Sequence, residues 1–259
     1  MNTMNRFVSF AALALAAAIT TSSSSAFAQA PKRVTPQDSF ASDLQTVAVM
    51  SNVTGVGGAQ FTSYVAIFNP TTAAFPVSVT LWDANGTRHD AIIQLAAGEQ
   101  KTYTNFLADV FSYTGGGSVT FQSGESIGGT HNNRFIVNAE VRTGRYGTLV
   151  PVSNFAASSS RSFSPGISVD STSRTNVGCI NQASTGNTVT ATVFDKNATQ
   201  VGVFTLSLAA NAWGQTGVTS VVSDGYVRFD PTDTALCYAV VVDNSTNDGR
   251  FIPSAEYQP

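Results

Sequence analysis

The chain predicts an all-β protein: two tandem β-sandwich domains following a cleaved signal peptide. Three observations lead there. An apolar leader opens the sequence, the remainder is poor in helix formers and rich in Thr, Val, Ser and Gly, and that remainder aligns with itself. The 259 residues include only three Lys and four Glu against 21 Gly, while 17 Phe and 7 Tyr can supply a core. Charged residues make up 11% of the chain, against about 25% in typical soluble domains. A formal charge of −3 argues against a basic, phosphate-tracking surface, so nucleic acid is not an expected partner.

Residues 1–28 read as the signal peptide. Arg6 and the amino terminus form a positive start, Phe7 to Ile19 an apolar stretch, and Ala26-Phe27-Ala28 a small-x-small cleavage pattern. The apolar stretch is shorter than the ~20 residues a membrane span needs, and no later segment is long and apolar enough. The expected location is therefore secreted, periplasmic or at the cell surface. Residues 29–44 form an N-terminal extension. In an oxidising compartment, Cys179 and Cys237 are expected to form a disulfide; two free thiols or an intermolecular bridge are the alternatives. Closing 58 residues would contribute roughly 4 kcal/mol by the loop-entropy argument.

The repeat gives the domain boundaries. Ser63 to Asn69 aligns with Thr175 to Asn181 at an offset of 112, and Val77 to Gly86 aligns with Val189 to Ala198 at the same offset. Leu95 to Gly98 matches Leu208 to Asn211, and Gly117 to Phe121 matches Gly225 to Phe229. Both copies close alike, in Gly147 to Pro151 and Gly249 to Pro253. We assign domain 1 to 45–152, a Ser-rich linker to 153–162 and domain 2 to 163–259.

Within each copy the elements are short. Val77, Val79 and Leu81 alternate with Ser78 and Thr80, as Val189, Ala191 and Val193 do with Thr190 and Thr192, giving half-buried strands. Asp83-Ala84-Asn85-Gly86 ends the first, because Asn-Gly takes the positive φ angles of a tight hairpin. Further strands are expected at 46–51, 61–69, 91–96, 100–105, 117–122 and 135–142, then at 163–168, 174–181, 201–208, 225–230 and 236–243. Asn105 to Phe111 reads as one short helical turn. Cys179 on an early strand and Cys237 on a late one suggest a bond between the two sheets of a sandwich. Ile67, and Ile136 or Val137, occupy the matching places in the first copy.

Ser164-Pro165-Gly166-Ile167, Arg174 to Gly178 with Asn181, Phe194-Asp195, Val242-Asp243-Asn244 and Phe251-Ile252-Pro253 together resemble a module of uncharacterised exported bacterial proteins. Ser63 to Pro70 and Tyr146 to Pro151 resemble its common partner. The resemblance implies immunoglobulin-like or fibronectin-like sandwiches of a secreted or cell-surface protein, and supplies no catalytic residues.

Few residues carry chemistry. His89, Asp90 and His131 could form a small metal site if their loops converged, and with it a metal-dependent hydrolase; exposed loop histidines are the plainer reading. No GxSxG elbow accompanies the many serines. Asn244 to Gly249 has the alternating oxygens of a calcium loop but lacks its twelfth-position acid. Trp82 and Trp213, with Tyr103, Tyr113 and Tyr146, are candidates for stacking on a glycan. The scarcity of lysine leaves strand edges unprotected, which points to self-association or contact with an envelope protein by strand addition. The expectation is a non-enzymatic protein without cofactors that works by surface contact in adhesion, envelope structure or recognition. A carbohydrate-binding module is the alternative.

Overall fold

Alternating apolar and polar residues become strands throughout the computed structural model, which describes residues 42–123, 133–153 and 161–256. The leader with its cleavage site, His131 and the middle of the Ser-rich segment lie outside the described residues. The first half contains β1 (Leu44–Thr54), β2 (Gln60–Phe68), β3 (Phe75–Asp83), β4 (Arg88–Leu95) and β5 (Gln100–Tyr103). The short helix α1 (Phe106–Phe111) follows, then β6 (Gly115–Ser123), β7 (Ile136–Thr143), β8 (Tyr146–Val150) and β9 (Val152–Ser153). The second half contains β10 (Ser162–Val169), β11 (Ser173–Asn181), β12 (Asn187–Phe194), β13 (Gln200–Leu208) and β14 (Trp213–Gly217). It ends with β15 (Val222–Pro231), β16 (Ala235–Asp243), β17 (Gly249–Pro253) and β18 (Ala255–Glu256).

All the ladders are antiparallel and the strand order recurs. In the second half, β13-β12-β15-β10-β18 forms one sheet and β14-β11-β16-β17 another. The first half repeats this as β4-β3-β6-β1-β9 and β5-β2-β7-β8. It differs in one respect: Asn52 to Thr54 pair with Gln60 to Thr62, joining its two layers into a single nine-stranded sheet.

The residues that reveal the repeat hold its corners. Asn69, fully buried, donates from Nδ2 to the carbonyls of Ala73 and Ala96, both at 2.8 Å, and accepts from the Thr71 N–H at 2.9 Å. Asn181 makes the same three bonds, to Thr185 and Ala209 at 2.7 Å and from Ala183 at 3.0 Å. Asp83 accepts from the N–H groups of Asn85 and Thr87, as Asp195 does from Asn197 and Thr199. A buried amide without these partners would cost about 1–3 kcal/mol, which explains why Asn recurs at the same corner. At the Asn85-Gly86 turn only Gly86 is left-handed, with φ 74°; Ala198 takes φ 63° in its place. The loop is therefore a three-residue hairpin ending in one left-handed residue.

The disulfide forms, but not between sheets as the strand assignment suggested. Cys179 and Cys237 are direct partners on the neighbouring strands β11 and β16 of one sheet, with Cα atoms 4.1 Å apart. That short spacing belongs to the close, non-hydrogen-bonded pairs of an antiparallel ladder. The first half puts Ile67 opposite Val137 at this position, both buried. Ile136, the other residue considered there, is 41% exposed.

The strands expected from periodicity are present and the helical turn is α1. The sequence reading missed β8, β9, β14, β17 and β18. The β14 string Trp-Gly-Gln-Thr-Gly has no apolar period; its ladder with β11, from Asn176–Gly217 to Ile180–Trp213, makes it a strand. Both ends of the proposed linker are already strand, at Val152–Ser153 and from Ser162 onward. The described residues, 42–123, 133–153 and 161–256, belong to one compact unit, and the reason lies in the faces of β16.

Candidate functional site

β16 is apolar without interruption from Ala235 to Val242, the pattern of a strand buried on both faces. Its odd-numbered residues Cys237 and Ala239 enter the core of the second half with Val177, Val189, Val227 and Phe229. Its even-numbered residues Tyr238, Val240 and Val242 join the core of the first half, with Val49, Met50, Phe106 and Phe121. The sheet β14-β11-β16-β17 therefore serves two cores at once.

Tyr238 sits at the centre of the shared face and has no exposed surface. Its hydroxyl accepts from Trp213 Nε1 at 2.9 Å and donates to Gln215 Oε1 at 3.0 Å. Its ring stacks on Phe251, with centroids 4.9 Å apart. Burial pushes the phenol well above its ordinary pKa, and the Trp213 hydrogen bond only partly offsets this. Tyr238 pairs with Gly178, where an added Cβ would lie 2.3 Å from the hydroxyl. The Trp213 ring lies over Gly116 of β6, leaving no room for a side chain there. A second close approach sets Gly86 against the Ala210 carbonyl.

Beside Tyr238 the two halves leave a cavity of about 220 Å³. Val49, Val53 and Val150 line it from one side, and Val240, Val242 and Phe251 from the other. Polar groups converge at one wall, where Arg174, Asn176 and Gln215 come from adjacent strands. Arg174 is half-buried; Nη1 donates to Asn244 Oδ1 at 3.1 Å and Nη2 to Asn247 Oδ1 at 2.7 Å. Burial lowers its pKa, opposed by the charge of Asp243. The Asn244–Gly249 segment is thus a turn whose side-chain oxygens face N–H donors. Asp243 anchors it, with Oδ1 accepting from the hydroxyls and N–H groups of Ser245 and Thr246. These bonds, the Ser245 hydroxyl first, bring the carboxyl down to about 2.

The other candidate residues are dispersed. His89 and Asp90 are consecutive on β4 and point to opposite faces. His89 Nε2 lies 3.3 Å from Asp83 Oδ2 on the inner side, its ring 5.1 Å from that of Tyr113. Burial would raise the Asp83 carboxyl, but the Thr87 and Asn85 N–H groups and His89 outweigh it and hold the pKa low. Asp90 faces outward, bonded to Thr80 and Arg88. Among the described residues no group of three or more His, Cys, Asp or Glu is placed to hold an ion. Tyr103 packs edge-on against Phe106 at the margin of the first core. Burial raises its pKa. Trp213 is engaged with Tyr238, whereas Trp82 stays on an outer face with Arg88 5.9 Å above its ring.

Sequence reasoning missed the outer-face aromatics Phe163 and Tyr226. Tyr226 stacks on Phe194, with centroids 4.9 Å apart and planes 12° from parallel, and Phe163 follows at 6.3 Å. Period-two spacing on three neighbouring strands carries the signal, but only the register brings the rings together.

Tyr238→Phe should keep the ring packing yet leave the Trp213 N–H without its acceptor, costing about 1–3 kcal/mol in urea unfolding; an unchanged midpoint would show that the hydrogen bond contributes nothing. For Asp243, a depressed folded pKa means that its contribution is fully present above the unfolded value of 3.8 and is lost as pH falls through about 2. The Ser245 and Thr246 amide signals should titrate with a midpoint near 2; a midpoint near 3.8 would remove Asp243 as the anchor of the turn. Compared with protein-family models and with curated proteins, the chain matches none.

Proposed function

We propose that this is an exported, non-enzymatic protein of two tandem immunoglobulin-like domains, 45–152 and 163–259, that works by surface contact in adhesion, envelope structure or recognition. The disulfide supports the exported location, and the recurring strand order supports the duplication. One observation carries the contact reading: the edge strand β13.

Among the described residues β13 pairs with β12 alone, on one side. Its sequence, Gln-Val-Gly-Val-Phe-Thr-Leu-Ser-Leu, holds no charge and no proline. Val203 is 53% exposed and Val201 lies beside it on the outer face, while Leu206 and Leu208 point to the core. Natural edges of this length usually carry lysine, proline or a covering element. The matching edge of the first half, β4, carries the charges Arg88 and Asp90. β13 therefore offers a free row of N–H and C=O groups to a strand from a second copy or from an envelope protein.

A second reading rests on the row Phe163, Tyr226 and Phe194, which suits stacking on a glycan. Glycan-array binding that disappears in Tyr226→Ala would favour it. For the first reading, light scattering should show mass rising with concentration for the native chain and a lower mass for Val203→Lys. A native chain that stays monomeric and captures no strand-forming partner at β13 would remove the proposal.

A further inference from the structure

The cavity beside Tyr238 has a composition that packing alone does not require. Its apolar walls are valine and phenylalanine from both halves, Ser51 and Thr148 add neutral hydroxyls, and among the described residues its one cation, Arg174, stands on β11 opposite Val242. A guanidinium carries five N–H donors, and the protein partners of Arg174 are the neutral amide oxygens of Asn244 and Asn247. The neighbouring carboxylate, Asp243, follows Val242 on the opposite face of β16, with one oxygen taken up by Ser245 and Thr246. A positive charge thus borders an apolar hollow with N–H groups left over. Gln215 has its Oε1 engaged by Tyr238, so its amide nitrogen is the part that remains for a ligand.

We infer that this cavity binds a small monocarboxylate with an apolar tail, the carboxylate on Arg174 and the tail among Val49, Val53, Val240 and Phe251. A carboxylate complements the guanidinium through two parallel N–H···O bonds, which are stronger than neutral ones. An amine of the same length would set like charges together. At about 30 Å³ for each water-sized group, the space of about 220 Å³ holds about seven such groups, close to the roughly eight non-hydrogen atoms of a six-carbon acid whose carboxylate reaches out to Arg174. Both halves contribute walls, so the ligand also bridges them. The site is separate from the β13 edge, and either proposal can fail without the other.

The test uses the full chain with hexanoate, hexan-1-ol and hexylamine as probes, followed through the backbone amide signals of β11 and β16. Hexanoate should give saturable shifts centred on Arg174, Asn176 and Val240, and hexylamine none. Arg174→Gln should weaken hexanoate binding about tenfold or more while Tyr238 and the disulfide keep the fold intact. Absence of saturable shifts at millimolar hexanoate overturns the inference, as does equal binding of hexan-1-ol, the signature of a plain apolar void. Unchanged hexanoate affinity in Arg174→Gln also overturns it. If that variant does not fold, the preference of the native chain for hexanoate over hexylamine decides alone.

Discussion

Burial of one sheet on both of its faces is the constraint from which the rest of the structure follows. β16 sends Cys237 and Ala239 into one core and Tyr238, Val240 and Val242 into the other. Without the second set of contacts, Tyr238, Val240 and Val242 would lie on a bare apolar face of the sheet. With them, Trp213, Gln215, Gly178 and Gly116 acquire their roles together: donor, acceptor, and two places where a side chain cannot fit. The cavity belongs to the same contact, since Val49 and Val53 of β1 and Val150 of β8 line it opposite Val240 and Val242, with Arg174 in its wall.

The two copies show how one topology is turned to different uses. At matched positions in the ladders, β7 carries Asn138, Glu140 and Arg142 where β16 carries Tyr238, Val240 and Val242. The first set faces water or pairs on the surface, with Arg142 3.7 Å above the Tyr64 ring and bonded to Glu140. The second set is the inter-half core. The corner residues, by contrast, are shared: Asn69 with Asn181, and Asp83 with Asp195. The corners are alike in the two halves, and the middles of the strands differ with what each face packs against.

Much of this was legible in the residues. Period-two alternation located β3 and β12, and the offset of 112 aligned the segments that end in Asn69 and Asn181 without showing that these amides hold corners. The unbroken apolar run in β16 was also visible, but periodicity alone cannot say what covers a second apolar face. The disulfide partners were correct and their placement was not, because a pair of cysteines on an early and a late strand fits an inter-sheet bond as well as a cross-strand one. β11 and β16 are neighbours only through the ladder register. The cavity had no sequence signal, since Arg174, Asn176 and Gln215 converge from two strands separated by more than thirty residues. Turn chemistry was readable at Asp83 and not at β14, whose glycines hide a strand held by its neighbour.

The central claim is that the halves stand or fall together through the Tyr238 face. Hydrogen exchange across a range of sub-denaturing urea concentrations measures this directly, comparing amides of the β1–β6 ladder with those of the β11–β16 ladder. The account predicts that both ladders converge on one opening free energy with one dependence on urea. Two separate opening reactions, with the first half retaining full protection while the second exchanges, would contradict it.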